Sequence, residues 1–207
     1  MAYTLSDLIE ELDVPRETSE KLQSYADALQ KWQKAKNLIA NSTMDDMWRR
    51  HFLDSAQLAP KIRGVFGKKQ LTMLDIGSGA GFPGLVLGIM GLGVAHMVES
   101  NGRKCTFMRH VSRETSANAQ IHSVRIEDLP PFPVDIITSR ACASVLQLLN
   151  WAQPFLEFSP EIWLLKGETA EEELTQAQAY WNMTVSRFDS LSDPSGVILR
   201  LRSITKR

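Results

Sequence analysis

The sequence holds little of what disulfide-linked, metal-binding or membrane-spanning proteins require. Its two cysteines, Cys105 and Cys142, are too few for a disulfide framework or a cysteine-rich metal site. The four histidines are scattered, without the HxxxH or HExxH spacing of zinc sites. No apolar run approaches the roughly 18 residues of a transmembrane helix, and the acidic N-terminus lacks the basic and apolar regions of a signal peptide. We therefore expect a cytoplasmic protein with reduced cysteines, no bound metal and no membrane segment.

The net charge is close to zero, but the charges are unevenly distributed along the chain. The formal net charge is −1. Residues 31–113 carry thirteen bases and five acids, a net +8, whereas residues 1–30 carry two bases and seven acids. The positive block contains the glycine-rich segment described below, which favours an anionic partner on that side. Ordinary solvated faces are the alternative explanation.

The pattern of apolar residues divides the chain into two parts. Apolar residues at helical spacing in residues 5–12 and 22–32, and a further segment with Thr43 as its expected cap, predict a helical N-terminal extension over residues 1–65. Over residues 66–207, short apolar strands alternate with helical segments. That order predicts an α/β domain with a doubly wound, mostly parallel sheet. Its predicted strands are LTMLDI, VAHMVES, NAQIHSVRI, PVDIITSR and EIWLLKG, followed by MTVSRFDSL and GVILRLRSI as an antiparallel pair.

The segment DIGSGAGFPG, residues 75–84, places four glycines directly after the first predicted strand. Glycine is needed where a β-carbon would obstruct a turn or the approach of a ligand. In a doubly wound sheet, ligands bind beyond the carboxyl ends of the strands. A tight connection without a ligand is the alternative, but a plain connection seldom needs so many glycines. We therefore predict a ligand site on this turn.

The glycine spacing allows two cofactor classes. Gly79, Gly81 and Gly84 match the dinucleotide fingerprint G-x-G-x-x-G, but Gly77 already follows the strand, so the register is wrong. Asp75 ends the strand, and its carboxylate would repel a pyrophosphate. The ammonium and sulfonium groups of S-adenosylmethionine would instead favour a nearby negative charge, so we predict this cofactor.

Acidic residues also follow the next two strands. Glu99 ends the second strand and is placed to bind two ribose hydroxyls, a role that exists in NAD sites as well. Glu127 and Asp128 follow the third strand, where an adenine amino group would be bound. Solvated acids at the start of a helix are the alternative for this pair.

The sequence resembles a known family. Seven stretches, in order from about residue 32 to residue 167, are similar to the RsmG (GidB) family of 16S ribosomal RNA methyltransferases: KWQKAKNLIA, MWRRHFLDSAQL, DIGSGAGFPGL, RKCTFMRHV, VRIEDL, ITSRACAS and LLKG. The resemblance implies a class I S-adenosylmethionine-dependent methyltransferase with a Rossmann-like, seven-stranded sheet over residues 66–207. It also implies methyl transfer to N7 of a guanine in 16S ribosomal RNA or the small ribosomal subunit.

The resemblance implies roles for particular residues. With the motif reasoning above, the expected cofactor-binding residues are Asp75, Gly77, Ser78, Gly79, Gly81, Phe82, Glu99, Ile126, Glu127 and Arg140. The expected RNA-binding residues are Asn37, Arg50, His51, Arg103 and Lys104, although His51 and Asp54 could instead cap or bridge helices. The expected catalytic residues are Arg140 and Lys166.

The segment DIITSRACAS carries the fourth strand and the loop that touches the methylated group in this class. Enzymes acting on exocyclic amines tend to have an N/D-P-P-Y/F pattern there, whereas this chain has S-R-A. Guanine N7 has a free lone pair and loses no proton, so no general base is needed. Arg140 is expected to bind guanine O6, a phosphate or the cofactor carboxylate; a structural ion pair is the alternative.

Two nearby residues have competing interpretations. Lys166, at the end of the fifth strand, is expected to contact phosphate or substrate, with a surface lysine as the alternative. Cys142 suggests covalent catalysis, but a small buried residue is the favoured interpretation.

Two other functional classes stay open from the sequence. An NAD-linked oxidoreductase is disfavoured by Asp75 and by the lack of a candidate acid for a hydride site. A non-catalytic ribosome-binding protein is disfavoured by the intact glycine turn. We expect the protein to act as a monomer.

Overall fold

The structure is a computed structural model that describes residues 2–140 and 142–207, so Ala141 of the ITSRACAS stretch lies outside the described residues. The helices are α1 (Leu5–Leu12), α2 (Arg16–Lys36), α3 (Asp54–Ala56), α4 (Leu58–Phe66), α5 (Gly84–Ile89), α6 (Gly102–Thr115), α7 (Val145–Ala152) and α8 (Ala170–Gln178). The strands are β1 (Leu71–Ile76), β2 (Gly93–Val98), β3 (Ala119–His122), β4 (Ile136–Arg140), β5 (Glu161–Lys166), β6 (Trp181–Asp189) and β7 (Val197–Lys206).

The seven strands form one sheet in the order β3-β2-β1-β4-β5-β7-β6. Strands β1 to β5 pair in parallel, and β7 runs antiparallel to both of its neighbours. The predicted doubly wound sheet and its closing antiparallel pair are therefore confirmed. The strand order reverses between β1 and β4, and such a reversal leaves a crevice beyond the carboxyl ends of the two strands.

The N-terminal segment is helical, but its third part differs from the prediction. Thr4 caps α1 with a capping box, and α2 begins after Pro15. The expected single helix from Thr43 is instead a 3₁₀ turn, Asn41–Thr43, then a π-helical stretch, Trp48–Leu53, followed by α3 and α4. The Thr43 hydroxyl donates backwards to the carbonyl oxygen of Ala40 at 2.7 Å and contacts Nε2 of His51 at 2.8 Å, instead of binding the amides of a following helix.

The N-terminal helices share a hydrophobic cluster with the sheet. Tyr25 of α2 is fully buried; its ring stacks on Phe82 at 5.1 Å, and its hydroxyl donates to the carbonyl oxygen of Ala80 at 2.6 Å. Trp32 of α2 contacts Phe107 of α6, with ring centroids 5.6 Å apart. The change in sequence pattern near residue 65 thus marks a change in secondary structure, and the residues on both sides of it belong to one packed core. In the described part of the chain, every helix is too short or too polar to cross a membrane.

Candidate active site

A cavity of about 560 Å³ opens at the carboxyl ends of β1, β2 and β4, where the strand order reverses. Three groups of residues form its walls. They are the glycine turn with Gly77, Ser78, Gly79 and Phe82; the loops after β2 and β3 with Glu99, Lys104, Ile126 and Glu127; and an opposite wall with Leu38, Ile39, Ala40, His51, Arg140 and Cys142. Most of the predicted cofactor-binding residues are thus brought to one cavity.

The glycine turn is a cradle that side chains would fill. Gly77 and Gly79 have positive φ values of 71° and 59°, which favour glycine. A β-carbon at Gly77 would collide with the sulfur of Cys142. Among the described residues, the one atom found within 4 Å of a β-carbon at Gly79 is a backbone oxygen at 4.0 Å, so the β-carbon would project into open space. The turn therefore leaves its backbone accessible to a ligand.

Asp75 lies behind the glycine turn. Its carboxylate accepts hydrogen bonds from the Thr138 hydroxyl at 2.8 Å and from the Gly84 amide at 3.2 Å. The residue is fully buried, and burial raises the pKa of its carboxyl group. Gly81 also faces the protein, because a β-carbon there would lie 2.8 Å from the Tyr25 hydroxyl. These two predicted cofactor residues therefore shape and support the turn from behind.

Glu99 is the carboxylate that lines the cavity beside the turn. One of its oxygens accepts a hydrogen bond from the Gly79 amide at 3.0 Å, and the other accepts one from the Asn101 amide at 2.8 Å. Farther along the cavity, the Trp151 indole donates to Glu127 at 2.8 Å, and both residues line the wall. Sequence reasoning missed Trp151, because its place on α7 gives no sign that it meets the loop after β3.

The opposite wall is a strap of residues 38–41 held by one buried side chain. Gln33 of α2 accepts hydrogen bonds from the amides of Leu38 and Ile39, at 2.7 and 3.1 Å. Its amide group donates to the Ile39 carbonyl oxygen at 2.8 Å and to Asn41 at 2.7 Å. Sequence reasoning missed Gln33 as well. The available signal was a polar residue four positions after Leu29, on the buried stripe of α2.

His51 and Arg140 both contact Phe82. The His51 ring lies 5.2 Å from that of Phe82, and the Arg140 guanidinium lies 5.2 Å over it. Burial, aided by the charges of Arg140 and Arg50, lowers the pKa of His51 to about 3, so the imidazole is neutral at physiological pH. The hydroxyl of Thr43 uses its proton on Ala40, so in its 2.8 Å contact with His51 it accepts from Nε2.

Each of these two side chains keeps one buried polar atom without a partner in the described part of the molecule. They are Nδ1 of His51 and Nε of Arg140. Arg140 does donate to the Arg50 carbonyl oxygen at 3.2 Å and lies 3.7 Å from the Asp54 carboxylate. Burial raises the pKa of Asp54 and lowers that of Arg140. Unsatisfied buried polar groups are costly, so a ligand that reached them would be stabilised.

A second cavity, of about 230 Å³, meets the first at Arg140. Lys166 lines this second cavity, where its ammonium donates to the Ala143 carbonyl oxygen and pairs with Glu173 at 2.8 Å. Arg50 also lines it and pairs with Asp193 at 2.8 Å. Lys166 is therefore neither a free surface lysine nor part of the first cavity.

Cys142 is exposed, so its interpretation as a small buried residue is wrong. It covers Gly77, whose missing β-carbon leaves room for its side chain. Partial burial and the nearby carboxylates of Glu99 and Asp75 raise the pKa of the thiol, which disfavours the reactive thiolate. Cys142 is thus suited to closing the turn and poorly suited to covalent catalysis.

The remaining predicted RNA residues lie beside the first cavity. Lys104 lines it directly, near the start of α6. Asn37, at the end of α2, and Arg103 line a small neighbouring cavity of about 200 Å³. No group of three or more candidate metal ligands occurs within residues 2–140 and 142–207.

Comparison with known proteins gives a consistent match. Residues 18–196 match the family model described as rRNA small subunit methyltransferase G. Two similar relatives carry the name ribosomal RNA small subunit methyltransferase G. The one from Rhodospirillum rubrum is 48% identical over 194 residues, covering 93% of this chain and 94% of the relative. The one from Paramagnetospirillum magneticum is 46% identical over 200 residues, covering 97% and 96%.

Solved structures agree at the level of the fold. The magnesium protoporphyrin IX methyltransferase of Synechocystis, solved with bound S-adenosylmethionine, superposes with a TM-score of 0.62 at 9% identity, covering 86% of this chain and 97% of that one. The ribosomal protein L11 methylase of Lactobacillus delbrueckii gives a TM-score of 0.56 at 16% identity, covering 73% and 76%. The sheet is therefore that of class I methyltransferases, as the sequence predicted.

Proposed function

The chain belongs to the rRNA small subunit methyltransferase G family, and on that premise we propose that it transfers a methyl group from S-adenosylmethionine to N7 of a guanine in 16S ribosomal RNA. The observation that carries the proposal is the glycine cradle at the sheet's reversal point, with the Glu99 carboxylate bound to the Gly79 amide beside it. An NAD-linked oxidoreductase is no longer a candidate, because the family is one of methyltransferases.

The residues around the cradle fit the cofactor. Gly77, Ser78 and Gly79 offer backbone at the turn, where the methionine end would lie. Glu99 offers carboxylate oxygens for the ribose hydroxyls, and Ile126 and Glu127 lie where the adenine would be bound. Asp75 supports the turn through its bonds to Thr138 and Gly84. S-adenosylmethionine, when bound, supplies an electrophilic methyl group on a sulfonium.

Methyl transfer to guanine N7 does not require the protein to remove a proton. N7 attacks with its own lone pair and carries no proton to remove, so the protein has to position the base and manage charge. Arg140 lies where the two cavities meet, and a guanidinium there can donate to guanine O6 or to a phosphate while leaving N7 free. Lys166, paired with Glu173, is a second cation that lines the second cavity together with Arg140.

We assign the second cavity to the substrate side of the site. Arg50 lines this second cavity and His51 lines the first, and both come from the N-terminal segment, so we assign the helical extension a part in RNA binding. A target in assembled or assembling small subunits would place the protein in the cytoplasm. We also predict that the protein is a monomer.

A methyl-transfer assay tests the proposal. Purified protein, labelled S-adenosylmethionine and small subunits from cells that lack this protein would be combined, and the RNA digested to nucleosides. Label in 7-methylguanosine is the expected result. Label in another nucleoside would overturn the target atom while keeping the cofactor. Binding of S-adenosylmethionine without any label in RNA would favour the non-catalytic ribosome-binding alternative.

A further inference from the structure

Four cations form a strip beside the cofactor cavity. Lys34 and Lys36 lie in the last turns of α2, and Arg103 and Lys104 lie in the first turn of α6. We call this strip, together with Asn37, the basic groove. The first three cations and Asn37 line the cavity of about 200 Å³ between the two helices, and Lys104 lines the cofactor cavity next to it.

Packing of the two helices fixes the groove in position. Trp32, one turn before Lys36, contacts Phe107 and His110 of α6, with ring centroids 5.6 and 5.2 Å apart. Asn101 caps α6 by accepting from the amides of Arg103 and Lys104, at 3.0 and 3.3 Å. The groove is therefore built on two helices whose ends are both anchored, rather than on a mobile tail.

The positive charge of the groove is not neutralised internally. In the part of the chain that the structure describes, none of its four cations takes part in an ion pair. Lys34, Lys36 and Arg103 are exposed. Two acids lie nearby: Glu99, which accepts two backbone hydrogen bonds inside the cofactor cavity, and Asp45, on an adjoining cavity with Lys34.

We propose that the basic groove binds the phosphate backbone of the ribosomal RNA strand that flanks the target guanine. This inference rests on the proposed function and adds to it the surface on which the RNA lies. Unpaired, exposed lysine and arginine side chains bind phosphates and release counterions, which gives salt-dependent affinity. Because Lys104 borders both the groove and the cofactor cavity, a strand held there is directed towards the site of methyl transfer.

The test compares two matched pairs of substitutions. The groove variant is Lys36→Gln with Arg103→Gln. The control variant is Lys68→Gln with Arg113→Gln, which also removes one lysine and one arginine but at the other end of the sheet. Each variant loses one cation from the last turn of a helix, Lys36 from α2 and Arg113 from α6, so this loss of helix stabilisation is matched. Arg103 lies in the first turn of α6, where removal of a cation does not weaken the helix.

Binding to small ribosomal subunits from cells that lack this protein, which carry the unmodified 16S ribosomal RNA, would be measured over a series of KCl concentrations, and S-adenosylmethionine affinity would be measured separately. With a slope of about 0.7 per phosphate contact, the groove variant should bind RNA on the order of tenfold more weakly and with a salt slope shallower by about 1.4. Its S-adenosylmethionine affinity and the RNA affinity of the control should match the wild type.

Two outcomes would overturn the proposal that the basic groove binds RNA. One is wild-type RNA affinity in the groove variant; the other is equal weakening in both variants, which would mean a general charge effect. A wild-type protein that binds no small ribosomal subunits at all would instead contradict the proposed function, and with it the proposal for the groove. Because the assay reads binding directly, loss of RNA affinity is distinguished from loss of methyl transfer.

Discussion

The side-chain oxygen of Gln33 accepts a hydrogen bond from the backbone amide of Leu38 at 2.7 Å, and this contact fixes where the wall of the cofactor cavity begins. α2 ends at Lys36, and the next residue, Asn37, is in the left-handed conformation, so the following amides cannot continue the helix. Gln33 takes over two of these amides and also binds a carbonyl oxygen and Asn41. One buried side chain therefore determines the path of the strap that faces the glycine turn.

Replacing Gln33 by leucine should weaken cofactor binding. The substitution leaves up to three backbone groups of the strap without partners, and each unsatisfied group costs about 1–3 kcal/mol when buried, so the strap should rearrange. We expect S-adenosylmethionine to bind on the order of tenfold more weakly by calorimetry, with a smaller change in the turnover of the saturated enzyme.

Gln30→Leu is the matched control for this prediction. Gln30 lies one turn earlier on α2, and its amide contacts the sulfur of Met47 at 3.8 Å rather than the strap. This variant should bind the cofactor as the wild type does. A Gln33→Leu protein that loses stability but keeps its cofactor affinity would show that Gln33 serves only folding.

Replacing Gly77 by alanine should abolish cofactor binding. The new β-carbon would collide with the Cys142 sulfur and would force a residue other than glycine to a φ of 71°. The turn or the segment after β4 has to move, and both line the cavity. Calorimetric titration with S-adenosylmethionine measures the effect.

Gly91→Ala separates strain from collision. Gly91 has a similar φ of 75°, but within the described residues no atom lies within 4 Å of the position that a β-carbon would occupy. Both substitutions carry a left-handed strain of roughly 1–2 kcal/mol, but only the one at Gly77 obstructs the cavity. If the two variants bind the cofactor equally well, the glycine turn is not where the cofactor lies.

The sequence predicted the fold well because its signals are local. Apolar strands, helical stripes and a glycine-rich turn all reflect neighbours along the chain. The site was predicted less completely. Asp75 was expected to face the cofactor, but backbone geometry turns its carboxylate inwards to Thr138. Gln33, Trp151 and the second cavity depend on contacts between distant segments, which no local pattern records.

Acidification should destabilise the protein partly through His51. Burial holds the pKa of His51 at about 3 in the folded protein, while the unfolded value is about 6.5. Between these two values the unfolded state binds the proton and the folded state does not, so stability falls as the pH falls. The contribution is about 1.4 kcal/mol per pH unit for one such group.

His51→Gln should therefore flatten the dependence of unfolding free energy on pH. Urea unfolding between pH 7 and about pH 4.5 measures it. The pKa values of His96 and His122 are also lowered by burial, but both histidines are present in wild type and variant, so their contributions cancel in the difference. Parallel curves for the two proteins would mean that His51 titrates normally in the folded state.

Replacing Arg140 by alanine should reduce turnover far more than stability. The guanidinium lies at the junction of the two cavities and contacts the face of Phe82, so its loss removes a fixed charge from the reacting region. Removal of one preorganised donor commonly costs about 10²–10³ in turnover. Asp54 would lose its cation, but it still accepts from the Ser192 hydroxyl at 2.6 Å. Burial already raises the pKa of Asp54, so protonation can limit the cost.

Two comparisons make the result for Arg140 specific. Arg187→Ala removes an arginine whose exposed pair with Glu171 lies on α8 and β6, away from both cavities, and it should leave turnover unchanged. Arg140→Lys keeps the charge but not the planar fork, so it should recover part of the activity if charge dominates and little if the fork is needed to hold guanine O6. Methyl-transfer rates and thermal unfolding would be measured for all three variants, to separate an effect on turnover from an effect on stability. An Arg140→Ala enzyme with wild-type turnover would remove Arg140 from the mechanism and leave it as an ion pair that holds Asp54.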